Sequence, residues 1–241
     1  MERLQKVIAN SGYCSRRKAE ELILKNKVMV NGRKVNELGV KVGPNDAITI
    51  EGKSLRIEEK EYILLYKPRG VVTTTDDEHG RKTVLDLIKS DKRLYPVGRL
   101  DYDTSGILLL TNDGELTNLL THPKNHVDKV YVAKVKGLVH KDEILKLRSG
   151  VIIDGLKTSS AGARIKSYDK KSDTSIVELV IHEGKNHQVK NMFATIGHEV
   201  IKLKREKISF LDLKGLKSGE YRYLNTKEVK KLYNESQKNK A

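Results

Sequence analysis

The sequence has one cysteine, Cys14, so no internal disulfide can form. A lone thiol fits a reducing compartment, and the cytoplasm is the expected location. No stretch reaches the about 18 apolar residues of a membrane span, so no membrane partner is expected. The opening MERLQKVIANSG mixes acid and base without a long apolar run and does not read as a secretory signal. The P-loop pattern is missing: Gly52, Lys53 and Ser54 supply its end, but Ala47 stands where its first glycine belongs. G-x-G-x-x-G, G-x-S-x-G and HExxH do not occur, and the seven histidines, His182 and His187 included, have no zinc-type spacing. Chemistry then falls to side chains alone, with no cofactor and no metal.

Positive charge, in contrast, is abundant. The 241 residues carry 47 Lys and Arg against 32 Asp and Glu, a net charge of +15. A surplus of that size repels itself unless the partner is anionic. Nucleic acid is the expected partner, because Lys and Arg neutralise phosphates and release counterions. Residues 1–34 concentrate the effect, with nine basic side chains and three acidic ones.

The length suits one large domain or two smaller ones. Residues 1–55 read as a small unit. ERLQKVIANS predicts a short helix ended by Gly12. Ser15 can cap a second helix, RRKAEELILKN, with Ala19, Leu22 and Ile23 on one face. VMVNGRKV predicts two strands around the Asn31-Gly32 turn. Arg16, Arg17 and Lys18 fall at a helix start, where free backbone N–H groups also favour phosphate. RIEEKEY reads as a linker, residues 62–233 as a larger domain, and NESQKNKA (234–241) as a disordered polar tail.

In the larger domain YILLYK and GVVTTT predict strands around the turn Lys67-Pro68-Arg69-Gly70. TVLDLIKS predicts a helix. ILLLT is wholly apolar up to its threonine and should be a strand buried on both faces. ELTNLLTHP predicts a helix, VYVAKVKG a strand, HKDEILKLRSG a helix, SIVELVIHEG a strand, NHQVKNMFATIG a helix, EVIKLKREKIS a strand and TKEVKKLYN a last helix. Strands outnumber helices and several look like hairpins, which favours α+β over a doubly wound parallel sheet.

Three segments carry the chemical interest: GRLDYDTSG, DKVYVAKVKG and EGKNHQVKNMFATIGHEVIKLKRE. The first fifty residues resemble the S4 RNA-binding domain in the order helix, basic helix, NG hairpin. The remainder resembles the RNA pseudouridine synthases that carry such a domain, the RsuA/RluB group. GRLDYDTSGILLLTNDG matches that group's signature except at Ile107, YKPRGVVTT its first motif, and EGKNHQVKNMF with VIKLKR its last. GKNHQ, FLDLKGLKSGEYR and the Lys-rich end look most like the RluB subgroup, which implies large-subunit 23S rRNA as substrate. The resemblance implies an S4-like module followed by a synthase domain with a mixed, mainly antiparallel sheet, acting as a monomer on ribosomal RNA without a cofactor.

The resemblance also implies roles. Asp101 is the catalytic carboxylate, attacking C1′ of the uridine or removing its C2′ proton; both need the ionised form. Lys190 takes the place of the family's basic partner, often Arg, and Asn191 replaces a residue that is often basic. Tyr131 stacks on the flipped base and can help remove the C5 proton. Leu203 packs against the base, and Arg99 is a substrate contact. Phosphate contacts are expected from Arg3, Arg16, Arg17, Lys18, Arg33, Lys34, Lys67, Arg69 and Arg81. Asp103, Thr104, Ser105 and Gly106 shape the loop. Three other readings stay open here: a 16S rRNA synthase, a non-catalytic ribosome-assembly factor, and an enzyme cleaving RNA phosphodiesters.

Overall fold

Ser15 opens a helix: its Oγ accepts the backbone N–H of Lys18 at 3.2 Å, filling one of the donors that a helix start leaves free. The computed structural model describes residues 1–238 and divides them into two compact units. The first comprises residues 1–61 with 90–94 and 111–114; the second comprises 62–89, 95–110 and the residues from 115 onward.

In the first unit α1 (Leu4–Asn10) packs on α2 (Arg16–Leu24). Leu4 and Ile8, like Ala19 and Ile23, are four residues apart and so share one face. They meet Val28, Val42, Ile48 and Ile50 in a small core. The strands β1 (Val28–Val30) and β2 (Arg33–Val35) form the expected hairpin, with positive φ at both Asn31 and Gly32. Strand β3 (Ile48–Ile50) pairs with the other side of β1, and β4 (Lys53–Ser54) completes the sheet. The Asn31 amide locks the turn to this strand, donating to Asp46 and accepting from the Ala47 N–H.

The second unit is built on one sheet. Its main strands are β5 (Tyr62–Lys67), β6 (Thr104–Thr111), β7 (Lys129–Lys136), β8 (Gly162–Asp169), β9 (Thr174–Ile181), β10 (Val200–Ile208) and β11 (Tyr221–Tyr223). In space they run β8-β9-β7-β10-β6-β5-β11. The β8/β9, β9/β7, β7/β10 and β5/β11 pairs are antiparallel, whereas β6 and β10 run parallel. The helices are α3 (Gly114–Thr121), α4 (Lys141–Ser149), α5 (Gln188–Thr195) and α6 (Thr226–Lys238). The architecture is α+β with a mixed, mainly antiparallel sheet.

Strand β6 lies inside the sheet, between β10 and β5, because its sequence leaves it no wet face. Ile107, Leu108, Leu109 and Leu110 are all buried, as a continuous apolar run requires. Ile107 and Leu109 join Leu64, Leu116, Leu120, Ile208 and Leu232 in one cluster. Leu232 anchors α6, and the helix continues through 234–238, five residues into the stretch expected to be a disordered tail. The rest of that stretch, 239–241, lies outside the described residues.

Three local expectations differ from the structure. GVVTTT makes an isolated bridge, Val72 to Thr83, and no strand, because Thr73 Oγ1 instead donates to the Leu100 carbonyl at 2.7 Å. TVLDLIKS forms one 3₁₀ turn, Leu85–Leu87. The Asp86 carboxylate accepts from the Thr83 N–H and hydroxyl, and the chain is extended again by Ile88. Strand β8 was not expected at all: GARIKSYD is almost wholly exposed and has no apolar alternation. Among the described residues no helix is long and apolar enough to cross a membrane.

Candidate active site

The loop before β6 is tied down from below. Lys67, at the end of β5, is wholly buried, and its ammonium donates to the carbonyls of Pro68, Asp101 and Thr104 at 3.0, 3.1 and 3.0 Å. Burial pushes its pKa down to about 8. The expected phosphate contact is therefore corrected: Lys67 has no surface to offer RNA. It was misplaced because KPRG reads as an exposed turn, whereas three inward carbonyls claim the cation. Thr73 bonding to Leu100 and the Gly70 N–H bonding to the Tyr102 carbonyl at 2.8 Å complete the brace.

Asp101 projects from this loop, partly exposed, and meets α5. Lys190 Nζ is 3.2 Å from Asp101 Oδ2 and 2.7 Å from Asp103 Oδ1. Partial burial alone would lower the Lys190 pKa; the two carboxylates outweigh it and the net direction is upward. The Lys190 hydrogen bond in turn holds the Asp103 carboxyl below its usual range. His187, just before α5, brings Nε2 to 3.6 Å from Asp101 Oδ1. The turn into α5 is fixed by Gln188, which accepts from the Lys185 N–H and donates to Glu183.

Behind Asp101 is a cavity of about 550 Å³. Its lining includes Arg99, Asp101, Tyr131, Lys190 and Leu203, so the five residues expected to face the substrate converge on one space. Tyr131 and Leu203 are buried there, on β7 and β10. Of the residues expected to contact phosphate, Arg69 and Arg81 are exposed elsewhere on this unit, Arg81 paired with Asp77 at 2.6 Å. Arg3, Arg16, Arg17, Lys18, Arg33 and Lys34 are exposed on the first unit, Lys18 paired with Glu21.

Among the lining residues that escaped the sequence reading are two inward-facing cations, Arg205 and Lys129. Arg205 is 3 % exposed, with Nε donating to the Ile107 carbonyl at 2.9 Å and Nη1 to Tyr131 Oη at 3.3 Å. Lys129 donates to the carbonyls of Val127 and His182, and burial pushes its pKa down to about 8. The signal was the period of two: once Leu203 and Tyr131 face inward, Arg205 and Lys129 share their side of β10 and β7.

Comparison with known proteins fits this geometry. A match to the RNA pseudouridylate synthase family spans residues 61–195, and an S4 domain match spans 2–48. The chain belongs to the RNA pseudouridine synthase family. The synthase is 58% identical over 233 residues to the ribosomal large subunit pseudouridine synthase B of Bacillus subtilis, covering 96% of each chain. It is 41% identical to an uncharacterised RNA pseudouridine synthase of Aquifex aeolicus, covering 96% of this chain and 93% of that one. A solved crystal structure of a pseudouridylate synthase superposes with a TM-score of 0.70 at 35% identity, over 96% of this chain and 100% of the other. The synthase is thus an isomerase with an S4 domain at its N-terminal end.

Proposed function

We propose that this synthase converts a uridine of large-subunit ribosomal RNA to pseudouridine, with Asp101 as the reacting carboxylate. The observation that carries the reading is the Asp101–Lys190 pair at the cavity: a carboxylate with a cation 3.2 Å away, beside a space lined by an aromatic ring and apolar side chains. The large-subunit target rests on the 58% identity to the Bacillus subtilis protein.

The reaction breaks N1–C1′, turns the base and joins C5 to C1′. Nothing is oxidised and no group leaves, so side chains suffice. The N1–C1′ electron pair goes to the base. Asp101 either bonds to C1′ or takes the C2′ proton while the C2′–H pair closes a C1′=C2′ double bond. Lys190 sets a counter-charge beside the carboxylate in the partly dry site. Tyr131 stacks on the base and its hydroxyl stands ready for the C5 proton; Leu203 closes the other side. Arg99 meets the substrate at the rim. Extracting a uridine from folded RNA costs roughly a few kcal/mol, which phosphate contacts offset. Those contacts come from Arg3, Arg16, Arg17, Lys18, Arg33 and Lys34 in a module of residues 1–55, and from Arg69 and Arg81 in a catalytic domain of residues 62–233. The synthase works as a single copy in the cytoplasm, a compartment that its lone free thiol, Cys14, fits.

The test is isomerisation of unmodified 23S and 16S rRNA fragments by wild type and Asp101→Ala. Wild type should modify a 23S fragment, and the variant should lose on the order of 10³-fold or more. A fully active Asp101→Ala would sink the site; activity confined to 16S would sink the target.

A further inference from the structure

Arg205 is a buried cation and Lys129 a half-buried one, and neither forms an ion pair with a carboxylate among the described residues. Their partners are backbone carbonyls and the Tyr131 hydroxyl. The Arg205 Nη2 is buried with no hydrogen-bond partner. Lys129 has two acceptors for three N–H donors. Buried charge is ordinarily paired, and a buried donor without an acceptor is destabilising. Both side chains line the cavity that holds Asp101, Tyr131 and Leu203. Burial and then the neighbouring Arg205 charge push the Lys129 pKa down, and Asp128 opposes them only in part.

An acceptor that enters the cavity would fill the open Arg205 donor. We infer that Arg205, with Lys129 beside it, binds the carbonyl oxygens of the uracil and stabilises the negative charge the base acquires when N1–C1′ breaks. This deepens the proposed reaction and rests on it. By either Asp101 route the base departs with the bond pair, and its charge spreads from N1 to O2 and O4. Preorganised donors aimed at such oxygens act strongly where water is excluded. The same donors select uracil over cytosine, whose exocyclic amino group would present N–H to N–H. A phosphate would bring a standing charge, but Leu203, Ile181, Val97 and Tyr131 wall the space with surface suited to a base.

The test varies the base as well as the protein. A 23S rRNA fragment carries uridine or 5-fluorouridine at the target, and single-turnover loss of that nucleotide is followed. Fluorine withdraws electrons, so the departing base needs less help. Wild type, Arg205→Gln, Arg205→Lys, Lys129→Met and Asp101→Ala are compared, with circular dichroism as the fold control. Arg205→Gln should slow the uridine substrate by about 10²-fold. Its defect on 5-fluorouridine should be smaller by about tenfold, with RNA affinity nearly unchanged. Arg205→Lys and Lys129→Met should show the same pattern more weakly, and they decide the matter if Arg205→Gln does not fold. An equal defect on both bases overturns the inference. So does weakened RNA affinity with an unchanged rate, which would mean a phosphate grip. Asp101→Ala that remains active on uridine breaks the underlying reaction instead, a separate result.

Discussion

Gly106 and Arg205 pair across parallel strands with no room for a side chain between them. A Cβ on Gly106 would stand 2.2 Å from the Arg205 carbonyl oxygen and 2.6 Å from its nitrogen. The neighbouring pairs are Thr104 with Leu203 and Ser105 with Lys204. This contact joins the Asp101 loop to the strand that carries Leu203 and Arg205.

Gly106→Ala should therefore damage fold and site together. The obstacle is backbone, which cannot swing aside, and φ is +123°, a region side chains avoid. A loss of roughly 3 kcal/mol or more is expected by urea unfolding, with a matching fall in isomerisation rate. An unchanged unfolding midpoint would show that the strands do not need this approach.

Lys67→Met should strip three carbonyls of their donor and cost about 2–4 kcal/mol at neutral pH. Its pH dependence follows from a folded value near 8 against an ordinary 10.5. Between those values the unfolded chain holds more protons, so this group adds stability as pH rises. The advantage of wild type over Lys67→Met should widen from about pH 7.5 to about pH 9.5 in paired urea titrations. A gap that narrows would contradict the buried cation.

Lys190→Met should lower kcat by about 10²-fold and leave RNA affinity nearly intact, since the lost charge faces Asp101 and Asp103. Lys190→Arg should retain most activity, because a guanidinium fork can serve both carboxylates. Steady-state kinetics separate the outcomes: a change confined to KM would mean that Lys190 holds RNA instead.

Replacing Arg16 and Arg17 by alanine should weaken RNA binding uniformly across sequences. The slope of log K against log salt should fall by about 2. At saturating RNA the turnover should not change. Filter-binding titrations over a salt series measure both; an unaltered slope removes these residues from the phosphate contacts.

Legibility in the sequence followed periodicity and burial. ILLLT announced a strand buried on both faces, and its first residue, Ile107, departs from the family signature without disturbing that burial. Asn31-Gly32 announced its hairpin, because few residues tolerate positive φ at both positions. Asp101, Tyr131 and Lys190 could be chosen from their motifs, and the structure gathers them at one cavity. Cations that turn inward were hidden. Lys67 looks like surface charge among many such residues, and only tertiary carbonyls decide otherwise; Arg205 could be found only through its alternation with Leu203. GARIKSYD was hidden for the opposite reason: an exposed edge strand needs no apolar pattern.

The parallel union of β6 with β10 also sets a timetable for synthesis. Asp101 leaves the ribosome about a hundred residues before Arg205, and Lys190 nearly as late. Until β10 emerges, the ILLLT segment lacks one of its neighbours and leaves an apolar strand edge unpaired. No translation product that ends before β10 holds the carboxylate, its cation and the cavity floor at once. The cavity therefore closes only when chain separated by about a hundred residues meets along β6 and β10.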